Sequence, residues 1–312
     1  MKKAVVILIV ILLAFLLLGE LVASSLPKSL IPADAEWVVH LDMEKFKASH
    51  FGNLLIQEKQ GGIKKKAKAF YKQTSIDLLK DVSGATIYGL GKEKQQTVMC
   101  LKGSFDKEYL LGLLEDVDAH REIPHGSHTI HKWNRSEYGL FVGEDLVFLA
   151  WNETAIKTAL DAVDGKSSNI SSSSLKSFAD QIPGNAFFAA LVKDISALAG
   201  YSSKAVILKK AGSGLISLAE TNEILNARID ATAETPKDAA NMEQIIRGIM
   251  AMAQMQFEEA YEELNIAESV KVSTNNNKVK IELTHPSEEI FQILTGRKMD
   301  SIFSMGDFDP LS

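Results

Sequence analysis

The longest unbroken apolar run in the chain is Ala4 to Leu18, fifteen residues behind Lys2-Lys3. After it, apolar and polar positions alternate at the periods of strands and helices. Following Ile31-Pro32-Ala33-Asp34-Ala35, the run Trp37-Val38-Val39-His40-Leu41 predicts a buried strand. Following Ile182-Pro183-Gly184-Asn185-Ala186, the run Phe187 to Val192 predicts a second. Gly84 to Gly89 and Thr97 to Leu101, around a turn at Lys92 to Lys94, predict a hairpin. Its counterpart is Gly214 to Ala219, a tight turn at Thr221-Asn222, and Ile224 to Ala231. Each hairpin runs into a predicted helix, Asp106 to Val117 in one case and Pro236 to Leu264 in the other. Proline suits the first turn of a helix, where a missing N–H costs nothing. Each unit then closes on a strand and a short helix: Leu146 to Trp151 with Glu153 to Val163, and Val279 to Leu283 with Pro286 to Leu294. Gly165 and Gly296 follow those helices where a left-handed stop is wanted.

This repetition predicts an α+β fold of two related modules, residues 31–166 and 182–298. Each is expected to be an antiparallel sheet covered by helices on one face, on the plan β-α-β-β-α-β-β-α, with an extra strand in the first. Residues 167–181, rich in serine, predict a flexible linker. The tail 299–312 lacks strong periodicity and is expected to be disordered, with Ile302, Phe303 and Phe308 available as a short docking peptide.

The leader, residues 1–25, has the layout of a secretory signal: two lysines, the apolar run, then small residues around Val22-Ala23-Ser24-Ser25. The run is short of the ~20 residues of a relaxed membrane span, but Gly19 to Ala23 would extend it, with Glu20 as the discordant charge. Two readings stand: a cleaved signal peptide, or an uncleaved inner-membrane anchor over residues 4–23. No cysteine follows the run, which excludes a lipoprotein signal. The rest of the composition is that of an ordinary globular protein, 46 % apolar and 24 % charged over 312 residues. The net charge of −6 argues against a nucleic-acid binder. The lone Cys100 excludes an internal disulfide.

The I-P-A-D-A opening before a strand, and Ser75 to Val82 before Gly84-Ala85-Thr86-Ile87-Tyr88, resemble a loose family of exported bacterial proteins of unknown function. Their common arrangement is a leader followed by duplicated α+β units. The resemblance implies an envelope location and a fold; it implies no reaction and carries over no catalytic residue.

Candidate chemistry is sparse. His120, His125, His128 and His131 fall within twelve positions. Ser127 to Trp133 reads as a strand, turning at Asn134-Arg135-Ser136 into Glu137 to Val142. Strand alternation therefore sends His128 and His131 to opposite faces. With His120 at a helix end and His125 in a loop, no metal site is expected. Ser173-Ser174-Leu175-Lys176 matches S-x-x-K, but no S-D-N or K-T-G follows it. No G-x-S-x-G, H-E-x-x-H or phosphate-loop motif is present, so neither a catalytic residue nor a cofactor is expected.

Two helices offer surfaces. In Gly62 to Thr74, Ile63, Ala67, Phe70 and Thr74 share one face and Lys64, Lys65, Lys68 and Lys72 the other. That pattern suits an anionic membrane surface or a solvated lysine face over the core. On the helix after Pro236, Met250, Met252, Met255 and Tyr261 flank or lie away from the core stripe, offering adaptable contacts to a partner. The expectation is an exported, non-enzymatic binding module for a protein, lipid or glycan of the envelope, associated with the membrane through its N-terminal segment if that is retained. The alternative is an exported hydrolase whose site is assembled from distant residues.

Overall fold

Strand β1 (Trp37–Asp42) pairs on both sides, and its two partners come from the two predicted modules. On one side lies β2 (Val82–Gly89), with Val38 opposite Tyr88. On the other lies β8 (Ala186–Val192), with Trp37 opposite Val192 and Leu41 opposite Phe188. The computed structural model describes residues 26–58, 67–68, 70–72, 75–91, 93–115, 117–133, 135–196, 210–256 and 269–295. Within them one sheet of 12 strands runs β11-β12-β10-β9-β8-β1-β2-β3-β7-β6-β5-β4, with every pair antiparallel. The first half supplies β3 (Thr97–Gly103), β4 (Arg121–His125), β5 (His128–Lys132), β6 (Tyr138–Val142) and β7 (Leu146–Ala150). The second supplies β9 (Ala211–Thr221), β10 (Ile224–Ala233), β11 (Val270–Asn275) and β12 (Lys278–Pro286). Read outward from the centre, the halves give β1-β2-β3-β7-β6 and β8-β9-β10-β12-β11, the same order. The first half adds the β4–β5 hairpin beyond it. The expectation of one separate sheet per module is corrected: the halves share one.

Pairing fixes which side chains share a face, because a one-residue slip would reverse every one of them. Leu41, Ala85, Leu101 and Val147 stand opposite one another in turn, and Leu218 and Ala227 continue the row through Phe188. Against this row pack α1 (Met43–Ala48), α2 (His50–Gln57) and α7 (Ser287–Leu294), contributing Met43, Phe46, Phe51, Ile290 and Phe291. Leu110 of α3 (Lys107–Glu115) joins from the rim, and α6 (Pro236–Gln256) covers Ala231, Ala233, Val272 and Val279 with Ala239, Met242 and Ile246. The other face carries Val38, Tyr88, Val98, Ala150 and Tyr138, buried under Ile156, Ala159 and Leu160 of α4 (Glu153–Val163). Helices therefore cover both faces in the first half, not one. Farther out on this second face β10 and β12 show Asn226, Arg228, Glu282 and Thr284, which need no cover.

Local chemistry explains the elements. The β9–β10 turn is a tight two-residue one at Asn222-Glu223, both with positive φ (51° and 63°), which matches the right-handed twist of hairpin strands. Asn152 caps α4 by accepting from the Thr154 and Ala155 amides at 2.7 and 3.2 Å. Gly165, at φ +70°, ends it: the Lys166 amide bonds to the Asp161 carbonyl and the Gly165 amide to that of Ala162. The counterpart Gly296 lies outside the described residues, as do the leader and the tail. The serine-rich segment departs from its expected flexibility. Ile170 and Leu175 are fully buried, the Ile170 amide bonds to the Ile31 carbonyl, and α5 (Lys176–Ala179) adds Phe178 to the core. Composition signalled solvent, but two apolar residues in the segment find a place under the sheet.

Strand β8 is almost wholly buried, as a central strand covered on both faces must be. A register shift between Ala186 and Phe188 turns Phe187 and Phe188 into the same cluster, where Phe187 meets Phe46 and Phe51 of the first half. The shared core predicts a single cooperative transition. Trp37, Trp133 and Trp151 all lie in the first half, so fluorescence follows that half while far-UV circular dichroism follows both. The two urea curves are expected to coincide, and Phe187→Ala to move both together by about 3–5 kcal/mol. A mutant that shifts only the dichroism curve would mean that the halves unfold separately.

Candidate functional site

Two of the cavities among the described residues have polar groups in their linings. The larger, about 630 Å³, lies where the halves meet and is lined by Lys45, Ser49, His50, Asn53, Asn185, Phe187, Glu220, Asn222 and Glu223 among others. Its most connected group is Glu220. That carboxylate accepts from the His50 and Phe51 amides at 2.5 and 2.8 Å and from the Ser287 hydroxyl at 2.5 Å. Ser49 takes the Gly52 amide at 2.9 Å with its hydroxyl, and its carbonyl takes the Asn53 amide. All four amides at the start of α2 are thereby satisfied, two of them by a residue from the other half. A carboxylate at a helix N-terminus also meets the positive end of its dipole. The amide side chains of Asn53, Asn185 and Asn222 remain at the rim. The second cavity, about 430 Å³, is lined by Ser75, Ile76, Asp81, Ser104, Phe105, Asp106, Tyr109 and Leu110.

The histidines sit on both faces of the β4–β5 hairpin, whose turn is opened by Gly126 at φ +61°. On the α4 face, His125 Nε2 lies 2.9 Å from Asp161 and His128 Nε2 2.8 Å from Asp164. Acids at a helix C-terminus oppose its dipole, and these two are offset by the imidazoles and by Lys166, 2.7 Å from Asp164. Hydrogen bonds from His128 and then Lys166 hold the Asp164 carboxyl down to about 2. On the opposite face, His120 Nε2 and His131 Nδ1 stand 3.1 Å apart with their rings stacked, and Glu122 Oε1 lies 3.8 Å from His131 Nδ1. Burial lowers the His131 pKa; Glu122 opposes that shift, while His120 and Lys107 add to it.

The predicted separation of His128 from His131 is what the register shows. The expectation that no ligand set forms is corrected in geometry, because His120, Glu122 and His131 bring three ligand atoms within 4.8 Å of one another. His125 belongs to a strand rather than a loop, and that places Glu122, three residues before it, opposite His131. Pro124 concealed the strand. Proline is confined to sheet edges, and β4 is an edge.

A third cluster has a hydrolase's composition. The Ser269 hydroxyl lies 2.7 Å from His285 Nδ1, and His285 Nε2 lies 2.8 Å from Glu289. His285 is 4 % exposed, and the trio lines neither cavity. Nothing in the sequence spacing signals it beyond the i, i+4 pair. Cys100 offers no second nucleophile, because burial pushes its thiol up to about 12.

The other predicted residues are dispersed. Ala67 is buried and Phe70 packs against the core, so the apolar side of that segment is already covered, leaving Lys68 and Lys72 exposed. Lys64 and Lys65 lie outside the described residues. Met250 packs against the cluster beneath α6. The side chains of Met252 and Met255, and Tyr261 altogether, lie outside what is described. Ser173 donates to the Ile170 carbonyl at 2.8 Å and Lys176 pairs with Asp180, so the S-x-x-K match holds a turn and an ion pair rather than a dyad. Among the described residues, no helix is long and apolar enough to cross a membrane.

No protein-family model matches the chain, and no curated protein matches it. Solved structures do. The chain is similar to crystal form III of TP0453 from Treponema pallidum, with a TM-score of 0.53 at 10 % identity over 88 % of this chain and 99 % of that one. Crystal form IV of the same protein gives a TM-score of 0.50 at 9 % identity over 87 % and 97 %. At such identity the likeness concerns the fold: a mixed α+β protein built on an open antiparallel sheet.

The Asp164 pair sets a pH dependence. A carboxyl whose pKa falls on folding, here from an unfolded value near 4, adds stability above that value and loses it as the pH drops toward about 2. In urea titrations, Asp164→Asn is expected to be less stable than the parent at pH 5–7, and the gap to close through the acid limb. A gap that stays constant into acid would remove the pair from the account.

Proposed function

We propose that the chain is an exported protein of the bacterial envelope that acts as a binding module, taking its ligand in the 630 Å³ cavity between the halves. The supporting observation is how that cavity's polar groups are used. Glu220, which would be its natural acid or base, is committed to two helix amides and a hydroxyl, while Asn53 and Asn185, held in place by their amide hydrogen bonds to Lys47 and Ser49 and to Glu220 and Thr221, ring an open mouth with Asn222. Fixed hydrogen-bonding groups around a concavity give orientation and specificity without chemistry. Amides beside Lys45 and Glu223 suit a polar ligand, a glycan or a peptide, over an acyl chain. The N-terminal sequence supports the location: two lysines, fifteen apolar residues and small residues after them. Resemblance to the loose family of exported duplicated α+β proteins points the same way.

The test uses photo-crosslinking amino acids placed at Asn53, Asn185 and Asn222 of the full-length chain, expressed in its own cells. A recurrent adduct is expected from these positions and not from Lys280, on the opposite face of β12. Deleting residues 1–25 should abolish it by keeping the chain in the cytoplasm. Equal adducts from Lys280, or adducts that survive the deletion, would remove the reading.

The Ser269–His285–Glu289 trio favours a second reading, an exported hydrolase. A serine beside a histidine that a carboxylate orients is the arrangement of an activated nucleophile. A fluorophosphonate probe decides between them: the binding reading expects no labelling at Ser269, whereas stoichiometric labelling that Ser269→Ala and His285→Ala both remove would establish the hydrolase.

A further inference from the structure

Beyond the ligand cavity, the outer edge of the first half assembles a set of groups that the fold does not need. Among the described residues the β4–β5 hairpin has no equivalent in the second half, where β11 ends the sheet at the position of β6. On one of its faces, His125 and His128 fasten the hairpin to α4. On the other, His120 Nε2, His131 Nδ1 and a Glu122 oxygen lie within 4.8 Å of one another.

We propose that His120, Glu122 and His131 form a binding site for a zinc-class divalent metal ion. The atom spacing carries it. Two nitrogens bound to one tetrahedral zinc at its usual bond length stand about 3.3 Å apart, and these two stand 3.1 Å apart. The Glu122 oxygen, 3.8 Å from His131 Nδ1 and within 4.8 Å of the His120 nitrogen, must swing inward to reach that spacing from both. The Glu122 side chain is 63 % exposed and free to swing, whereas the His131 side chain, 12 % exposed, is held by its surroundings. The donor set fits a borderline ion: two imidazoles and one carboxylate, with no thiolate to select softer metals and too few oxygens for calcium. Without an ion the two imidazoles share one hydrogen bond, with one ring donating and the other accepting. An ion would take both lone pairs once the donating ring carries its proton on its other nitrogen.

The charges permit it. Glu122 supplies one negative charge, and the burial of His131 disfavours the charged form of its ring. Lys107 opposes a cation; its ammonium sits 5.7 Å from the centre of the Phe141 ring, seated on that aromatic face rather than among the ligands. Three protein ligands leave a fourth position to water or to an outside group. The ion would tie edge strand β4 and the turn before it to β5, in the part of the sheet paired on one side only.

The experiment is titration of the untagged full-length chain with zinc near neutral pH, with cobalt(II) absorption as the spectroscopic readout. One equivalent of zinc is expected to bind, and cobalt to give the intense visible bands of a four- or five-coordinate ion. His120→Ala and Glu122→Gln, both at accessible positions, should each lose the cobalt spectrum and the stoichiometric zinc. The double variant His125→Ala, His128→Ala, on the other face, should keep both. Failure of the parent chain to bind zinc would overturn the proposal. So would binding retained by both His120→Ala and Glu122→Gln, or lost only in the opposite-face variant.

Discussion

The antiparallel pairing of β1 with β8 is the constraint on which the rest of the molecule depends. Two antiparallel neighbours are related by a local two-fold axis normal to their sheet. Pairing the first strand of each half therefore sets the halves back to back without turning either over. From there the common strand order builds outward on both sides, and the sheet grows to twelve strands with only β4 and β11 left at its edges. The cost falls on β8, which must be apolar on both faces, and AFFAALV meets it. It also puts α2 of one half beside α7 of the other, where Glu220 can reach the free amides of one and the hydroxyl that begins the other.

That axis exposes where the halves differ. It maps each face of the sheet onto itself, so elements after equivalent strands should lie on the same face. The helices after β3 and β10, α3 and α6, obey this rule. Those after β7 and β12 do not: Ile156 and Leu160 of α4 pack on the Val38–Tyr88 face, whereas Ile290 and Phe291 of α7 pack on the Leu41–Ala85 face. The extra hairpin accounts for the consequence, if not the origin, of the difference. With α4 on that face, Asp161 and Asp164 at its end meet His125 and His128 of the hairpin, and the serine-rich segment returns beneath the sheet to reach β8.

The legible part of this fold was local. Apolar runs bounded by turn residues marked β1, β8 and the hairpins, and Gly165 marked the end of α4. What stayed hidden were contacts between distant residues and anything decided by which face a connection crosses. Trp37 opposite Val192 is a pairing no window contains, and neither is Glu220 capping a helix that begins at residue 50. Residues 167–181 misled by composition: seven serines outweighed Ile170 and Leu175, although a single turn with two buried side chains is enough to pin a segment. The ligand set at His120 and Glu122 was missed because Pro124 argued against a strand. Once β4 is accepted as an edge, alternation alone separates the four histidines into two pairs on two faces.

The position of that hairpin bears on what its histidines are for. An edge strand offers unpaired backbone to any other strand, and proteins guard against this with proline, charge or cover. Strand β11 relies on Lys271 and on the polar turn at Asn275–Asn277, while β4 carries Arg121, Glu122 and Pro124 within five residues. Strand β4 is thus already protected before any histidine is considered. His125 and His128 add attachment to α4, and their hydrogen bonds to Asp161 and Asp164 are part of the fold's own cohesion. His120 and His131 add neither attachment nor protection, since they bond to each other beside an exposed carboxylate and fasten the hairpin to nothing else. Two imidazoles placed side by side, where a single hydrogen bond is all that they exchange, are better explained by a third party between them than by stability.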